Sequence, residues 1–346
     1  MANGKTGKTG SNIFWIFIKI FFSLGAIGWF ASTVKWSDVL DKFSQINFLL
    51  LVIAFFVYLI RLIPCALRWV VVGKISGYIL SFGESFYGYM IGGFFNTFLP
   101  TGRGGDAIRA IVIAKKRKFS LGGIMGTILV ERFSGMFVTV IIALSACIIA
   151  SSSIPMLRDA LPSVIILSIL LVIFGIVVLS PQFFNLYLKI VKKLPFQKFW
   201  NSITDLMQVF QVSRKYPKDF FMVSVYSFFN QVIFIFTGFL IAKAISGFDA
   251  PWYSFPIVIP MIFVAELLPS IGGYGIREAG YVVFLAWFGV DKEHAVVFGI
   301  IQLVFLWISA LMGAVFFILG SPEDKNRIRE LKIDAIDKNK LDTAEM

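Results

Sequence analysis

Six stretches of this chain, at 13–34, 48–72, 120–150, 162–180, 220–244 and 295–319, are predominantly apolar over about the 20 residues that a helix needs to cross the hydrocarbon core of a bilayer. In lipid every backbone N–H and C=O must find its partner within the protein, so such runs fold as helices. They predict an all-α polytopic membrane protein with six spanning helices. A mean hydropathy of +0.84 with 15% charged residues excludes a soluble globular enzyme. Lys5 and Lys8 precede the first run as they precede a secretory signal. That run exceeds a signal core of about 7–15 residues, however, and is expected to stay as an anchor.

Two further segments, 82–115 and 252–290, are apolar at both ends and broken in the middle by Pro, Gly and charge. Loop charge predicts how they lie, because Lys and Arg in short loops are retained on the cytoplasmic side. The N-terminal tail, the end of the second span (Arg68, Lys74), the run from Lys115 to Lys118, the 181–219 loop and the tail after 320 hold 21 Lys and Arg. The loops on the other side hold Lys35, Lys42, Arg158 and Lys292. Both termini are therefore expected in the cytoplasm, in the cell (inner) membrane, and the net charge of +12 reads as topology; no nucleic-acid partner is expected. The 82–115 segment starts near Lys74 and ends at Lys115, so it should enter and return from the inside. The 252–290 segment lies between Asp249 and Asp291 and should do so from the outside. The expected fold is six spans plus two re-entrant helical hairpins, with eight spanning helices as the alternative.

The broken segments resemble each other. Leu99-Pro100-Thr101-Gly102-Arg103-Gly104-Gly105-Asp106-Ala107-Ile108-Arg109 stands against Leu268-Pro269-Ser270-Ile271-Gly272-Gly273-Tyr274-Gly275-Ile276-Arg277-Glu278. Each has Leu-Pro, a hydroxyl residue, a Gly pair and an Ile-Arg step opening a helix. Two spans, a hairpin and one span occur in each half, and three crossings per half turn the second half upside down. Inverted repeats of this kind bring discontinuous helices together near the bilayer midplane. The domain reading is a cytoplasmic tail 1–12, a membrane domain 13–320 with halves of about 13–150 and 162–320, and a charged cytoplasmic tail 321–346.

Charge inside the membrane is the functional signal, since an ionisable side chain costs about 2.5–3.5 kcal/mol at the centre of a spanning helix. Glu131 and Arg132 lie deep in the third long span; pointing about 100° apart, each should seek a partner on another helix. Arg61 is equally deep, three residues before a Pro64 kink, with Glu131 or Asp106 as a possible partner. At the hairpin turns Pro100, Gly102, Gly104, Gly105 and Pro269, Gly272, Gly273, Gly275, short helices start near 105 and 276, and their free N–H groups favour an anion. Arg103, Arg109 and Arg277 add forks suited to phosphate or carboxylate, while Asp106 and Glu278 gate the site, carry a proton, hold a cationic head-group part, or simply cap helices. The candidate substrate-binding residues are Arg103, Asp106, Arg109, Arg277, Glu278, Arg61, Glu131 and Arg132. His294 is the single His, and Cys65 and Cys147 lie far apart, so no His/Cys zinc site is expected. Gly7-Lys8-Thr9 has Ala2 where a phosphate-binding loop needs Gly, so neither a nucleotide site nor any other cofactor is expected. The 183–212 segment has Trp200, Ile203, Leu206, Met207 and Phe210 at near-helical spacing. It either lies on the inner leaflet or serves as a connector packed on the bundle.

Four motifs in order carry a resemblance: Arg61 with Arg68-Trp69; Asn96-Thr97-Phe98-Leu99-Pro100 through Gly105-Asp106 and Arg109; Val130-Glu131-Arg132; and Leu268-Pro269-Ser270 through Gly275 and Arg277-Glu278. Together they resemble the flippase-like membrane family, which contains the transmembrane region of lysylphosphatidylglycerol synthases (multiple peptide resistance factors). The resemblance implies translocation of an anionic or zwitterionic phospholipid or lipid-linked substrate, with membrane lipids as partners and a separate lipid-modifying enzyme as a possible one. In the longer members a C-terminal domain attaches lysine to phosphatidylglycerol. The 26 residues after 320 are too few for such a domain, so no synthase activity, and no catalytic residue, is expected. Asp106 stands where many members have Glu. The alternative function is a membrane enzyme, or a non-catalytic subunit or scaffold, in lipid or cell-envelope glycolipid modification.

Overall fold

The computed structural model describes residues 25, 28, 32, 35–99, 104–152, 154–191, 197–266 and 273–320. Their ordered elements are α-helices and one 3-10 turn. Five helical stretches are long and apolar enough to cross a membrane: Phe48–Ile75, Leu121–Ala150, Pro155–Leu179, Pro217–Ala244 and Lys292–Leu319. The first expected span, 13–34, and the two tails lie outside the described residues, apart from Gly25, Gly28 and Ser32, which are helical.

A short helix α1 (Trp36–Ser44) precedes the span formed by α2 (Phe48–Ile60) and α3 (Leu62–Ile75). This span is interrupted at Arg61. Pro64 offers no N–H to the carbonyl of Ile60, and its ring crowds that turn, so the helix resets there. The first broken segment forms α4 (Phe82–Phe98) and α5 (Gly104–Arg117). Ser81 and Glu84 start α4 with a reciprocal capping box, which satisfies two otherwise orphaned N–H groups. Next come α6 (Leu121–Ala150), α7 (Pro155–Leu179), α8 (Pro181–Val191), α9 (Gln197–Lys215) and α10 (Pro217–Ala244). Helix α7 begins seven residues before its apolar run. Pro155 occupies the first turn, where a missing N–H costs nothing, and hydropathy does not register the polar turn around Arg158. The second broken segment holds the 3-10 turn Trp252–Ser254, α11 (Phe255–Ala265) and α12 (Ile276–Ala286), and α13 (Lys292–Leu319) follows.

The arms of the broken segments are short. At 1.5 Å per residue, the 17 residues of α4 and 14 of α5 reach about 25 and 21 Å, and the 11 each of α11 and α12 about 17 Å. All fall below a hydrocarbon core of about 30 Å. In each segment the two arms pack on one another. In the first the contact is backbone to backbone: a Cβ on Gly105 would strike the Gly92 carbonyl and Asn96.

Helix packing within and between the two halves of the chain follows a reciprocal pattern. Helix α4 lies against α13 and α11 against α6; α5 lies against α6 and α12 against α13. Helices α2 and α3 pack on α10. The connector helices join in, with α1 resting on α13 and α9 on α6. The α9 contact is close, because Gly122 and Gly126 bring α6 against the backbone of Ser202 and Leu206. The 183–212 segment is thus a connector packed on the bundle through α9. Beside it, burial and nearby Asp205 push the phenol of Tyr78, in the loop after α3, above its usual value.

Candidate functional site

The first hairpin tip is built by α4 and α5. Asn96 accepts a hydrogen bond from Gly105 N at 2.8 Å, so a donor expected to face a ligand is already used. Asp106 lies in the first turn of α5, where a carboxylate complements the helix dipole. It pairs with Arg109 Nε at 3.2 Å and accepts from Arg132 Nε at 3.1 Å and Nη2 at 2.9 Å. Arg109 is 1% exposed and donates to Glu131. Its guanidinium lies 4.6 Å from the Trp69 ring centre and 4.3 Å from that of Tyr89, a cation–π arrangement. Fully buried Glu131 also accepts from Tyr89 Oη at 2.8 Å. Arg68 Nε lies 4.0 Å from Glu131, and its two terminal nitrogens donate to Tyr89 Oη and Ser227 Oγ, each at 3.1 Å. The neighbours Glu131 and Arg132 do seek partners on another helix, both on α5 one turn apart. At the base of the hairpin, Arg117 donates to buried Glu84 at 2.5 and 2.7 Å, tying the start of α4 to the end of α5.

The second tip turns through Gly273 and Gly275 at φ +81° and +82°, a left-handed region that suits glycine. Glu278 reaches back to Gly275 N at 2.7 Å and accepts from Arg277 Nη2 at 2.9 Å. Arg277 Nη1 lies 3.7 Å from Glu266. Both carboxylates of the tips, Asp106 and Glu278, therefore serve their own helix ends and arginines. The tips meet: Tyr274 Oη donates to the Thr97 carbonyl at 3.1 Å and accepts from Trp307 Nε1 at 3.0 Å. Thr97 lies in the last turn of α4, where carbonyls have no intrahelical partner.

Arg61 departs from its expected pairing. Arg109 and Arg132 take Glu131 and Asp106, while Arg61 Nη2 donates to Tyr58 Oη at 2.8 Å, one turn back. Its guanidinium lies 4.3 Å from the Tyr58 ring centre and 5.2 Å from that of Phe234. Pro100, Gly102, Arg103, Pro269 and Gly272 lie outside the described residues. Arg68, Tyr89, Asn96, Ser227 and Tyr274 join the network although none of them is among the candidate substrate-binding residues read from the sequence. Arg68 did carry a signal: it falls seven residues after Arg61, two helical turns and so on nearly the same face.

A cavity of about 410 Å³ lies between α1 and the start of α13, lined by Asp38, Asp41, Lys42, Gln45, Asp291, Glu293 and His294. None of the candidate site residues lines it. Among the described residues no group of three or more His, Cys, Asp or Glu is placed to hold a metal ion. The family described as Lysylphosphatidylglycerol synthase TM region matches the chain over residues 16–313. No curated protein and no solved structure matches it.

Proposed function

The chain belongs to the lysylphosphatidylglycerol synthase TM region family, membrane proteins of lipid modification or transport, and from that membership we propose that it is a translocase for an anionic or zwitterionic phospholipid or lipid-linked substrate. The substrate binds near the membrane midplane, where two re-entrant hairpins meet, among Arg61, Arg103, Asp106, Arg109, Glu131, Arg132, Arg277 and Glu278. The observation that carries this reading is the hydrogen bond from Tyr274 to Thr97, which joins tips lying in opposite halves of the chain.

Two features support the inverted repeat beneath it. Exchanging the halves turns α4 on α13 into α11 on α6, and α1 on α13 into α9 on α6, and all four contacts occur. The four hairpin arms are also shorter than a bilayer core, as re-entrant helices are. Rocking one half against the other around a central site gives alternating access. Both termini lie in the cytoplasm.

The test is leaflet exchange of labelled phosphatidylglycerol in vesicles of phosphatidylcholine and phosphatidylglycerol carrying the purified full chain. Exchange is expected above that of protein-free vesicles and reduced at least tenfold in Arg109→Ala and Arg277→Ala. Exchange no faster than in protein-free vesicles across a panel of anionic and zwitterionic lipids, with the protein folded, refutes the proposal.

A further inference from the structure

Besides Arg117 at the hairpin base, four described arginines have carboxylate partners: Arg68 with Glu131, Arg109 with Glu131 and Asp106, Arg132 with Asp106, and Arg277 with Glu266 and Glu278. Arg61 differs. It lies thirteen residues into the 28-residue span Phe48–Ile75, and among the described residues no carboxylate pairs with it. Its Nε is buried without a hydrogen-bond partner. Tyr58 is 3% exposed; its hydroxyl accepts from Arg61, and its own hydrogen has no acceptor among the described residues. Two donors, Arg61 Nε and the Tyr58 hydroxyl, thus stand side by side at a mid-span kink with no acceptor among the described residues. Such a cation is costly in hydrocarbon, and a buried donor left unsatisfied adds to that cost.

Resting on the translocase reading, we propose that Arg61 and Tyr58 receive the anionic oxygens of the ligand, and that the four paired arginines hold the framework around them. One guanidinium without a carboxylate partner, beside one hydroxyl, suits a singly charged phosphate ester: the guanidinium edge and the phenol donate to two of its oxygens. The apolar remainder of such a molecule finds the rings of Phe55, Phe234 and Phe305, all in contact with Tyr58. The helix N-termini at the two tips are poorer anion sites, since Asn96 and Glu278 already occupy Gly105 N and Gly275 N.

The experiment follows thermal unfolding of the full chain in detergent with dihexanoylphosphatidylglycerol, dihexanoylglycerol or inorganic phosphate. The phospholipid should raise the midpoint of the unsubstituted protein, whereas dihexanoylglycerol, with the same tails and no phosphate, should not. If inorganic phosphate matches the lipid, the anion site stands and free phosphate is its ligand. Arg61→Gln should weaken the apparent Kd for the phosphate-bearing probe at least tenfold without lowering the ligand-free midpoint. Arg61→Lys should keep part of the affinity, and Tyr58→Phe should weaken it. A purely structural Arg61 would instead lower the ligand-free midpoint when replaced. That result, unchanged affinity in Arg61→Gln, or no response of the unsubstituted protein to either phosphate probe overturns the proposal. Loss of binding in Arg61→Gln together with no leaflet exchange by the unsubstituted protein would keep the anion site and refute the translocase.

Discussion

Glu131 should contribute more to stability than any other charged side chain in the bundle, and Glu131→Gln measures this. The carboxylate is fully buried and holds Arg109, Tyr89 and, at 4.0 Å, Arg68. Removing one member of a buried ion pair costs about 3–5 kcal/mol, because the other charge is left uncompensated. Here Arg109 keeps Asp106 at 3.2 Å and two aromatic faces, so the lower end, about 3 kcal/mol, is expected. At about 2–4 °C per kcal/mol in large domains, the melting temperature should fall by at least about 6 °C. Cys65 and Cys147 are free and buried, so a thiol-reactive dye that fluoresces on labelling reports unfolding without an added probe. The double variant Arg109→Met with Glu131→Leu removes both charges, and its loss should fall short of the sum of the two single losses by about 2 kcal/mol. The remaining deficit reflects Arg68, which then has only Tyr89 and Ser227. A Glu131→Gln midpoint within about 2 °C of the unsubstituted protein, or strict additivity in the double variant, would refute the network as a cooperative unit.

Other outcomes follow from single contacts. Lys118 closes α5 at φ 55°, where a side chain is strained and glycine is not, so Lys118→Gly should stabilise by about 0.5–1 kcal/mol in the same dye assay; a loss of stability would show the lysine to be held by contacts of its own. Tyr274→Phe removes the bond to the Thr97 carbonyl and the acceptor for Trp307. It should cost about 1 kcal/mol and change the rate of leaflet exchange; an unchanged rate would show that the contact does not restrain the tips. Glu84→Gln breaks the clamp on Arg117 and should increase proteolysis in the Arg117–Ser120 turn, whereas an unchanged cleavage rate argues against the clamp. For orientation, a membrane-impermeant maleimide should label Asp41→Cys in intact cells and label Lys118→Cys only after lysis; the reverse pattern would invert the topology.

The long helices were legible because a run of about 20 apolar residues has few alternatives in lipid. The hairpin starts were legible too: helices expected near 105 and 276 begin at Gly104 and Ile276, since Gly-rich turns after Leu-Pro mark both. The pairing pattern was less accessible, and Arg68 shows why. Loop arithmetic placed it at the cytoplasmic end with Lys74, but α3 continues to Ile75 and carries Arg68 about 10 Å inside the helix end, where Tyr89 and Ser227 bind it. Hydropathy registers where apolar residues stop, whereas the helix ends where its caps and prolines are. Arg61 departs from expectation for a related reason: depth alone suggests a carboxylate partner. The choice was decided laterally, by α5 presenting Arg109 to α6 and leaving Arg61 against Tyr58.

In the proposed inverted repeat the two halves share an architecture and divide the chemistry. Aligning Ile108-Arg109 with Ile276-Arg277 sets Glu131 and Arg132 of α6 opposite Gly299 and Ile300 of α13. Position 299 sits against the second tip, where a Cβ would meet Tyr281 at 3.5 Å and the Glu278 backbone at 3.7 Å. Packing fills the place that an ion pair holds in the first half. Among the described residues Arg68, Arg109 and Arg132 pair with Asp106 and Glu131 in the first half, where Arg61 stands without a carboxylate, while Arg277 pairs with Glu266 and Glu278 in the second. Positive charge is in excess on one side of the tip contact and negative charge on the other. An anion is therefore drawn toward the first half, whose paired arginines are already engaged, so the position left to receive it is the kink at Arg61.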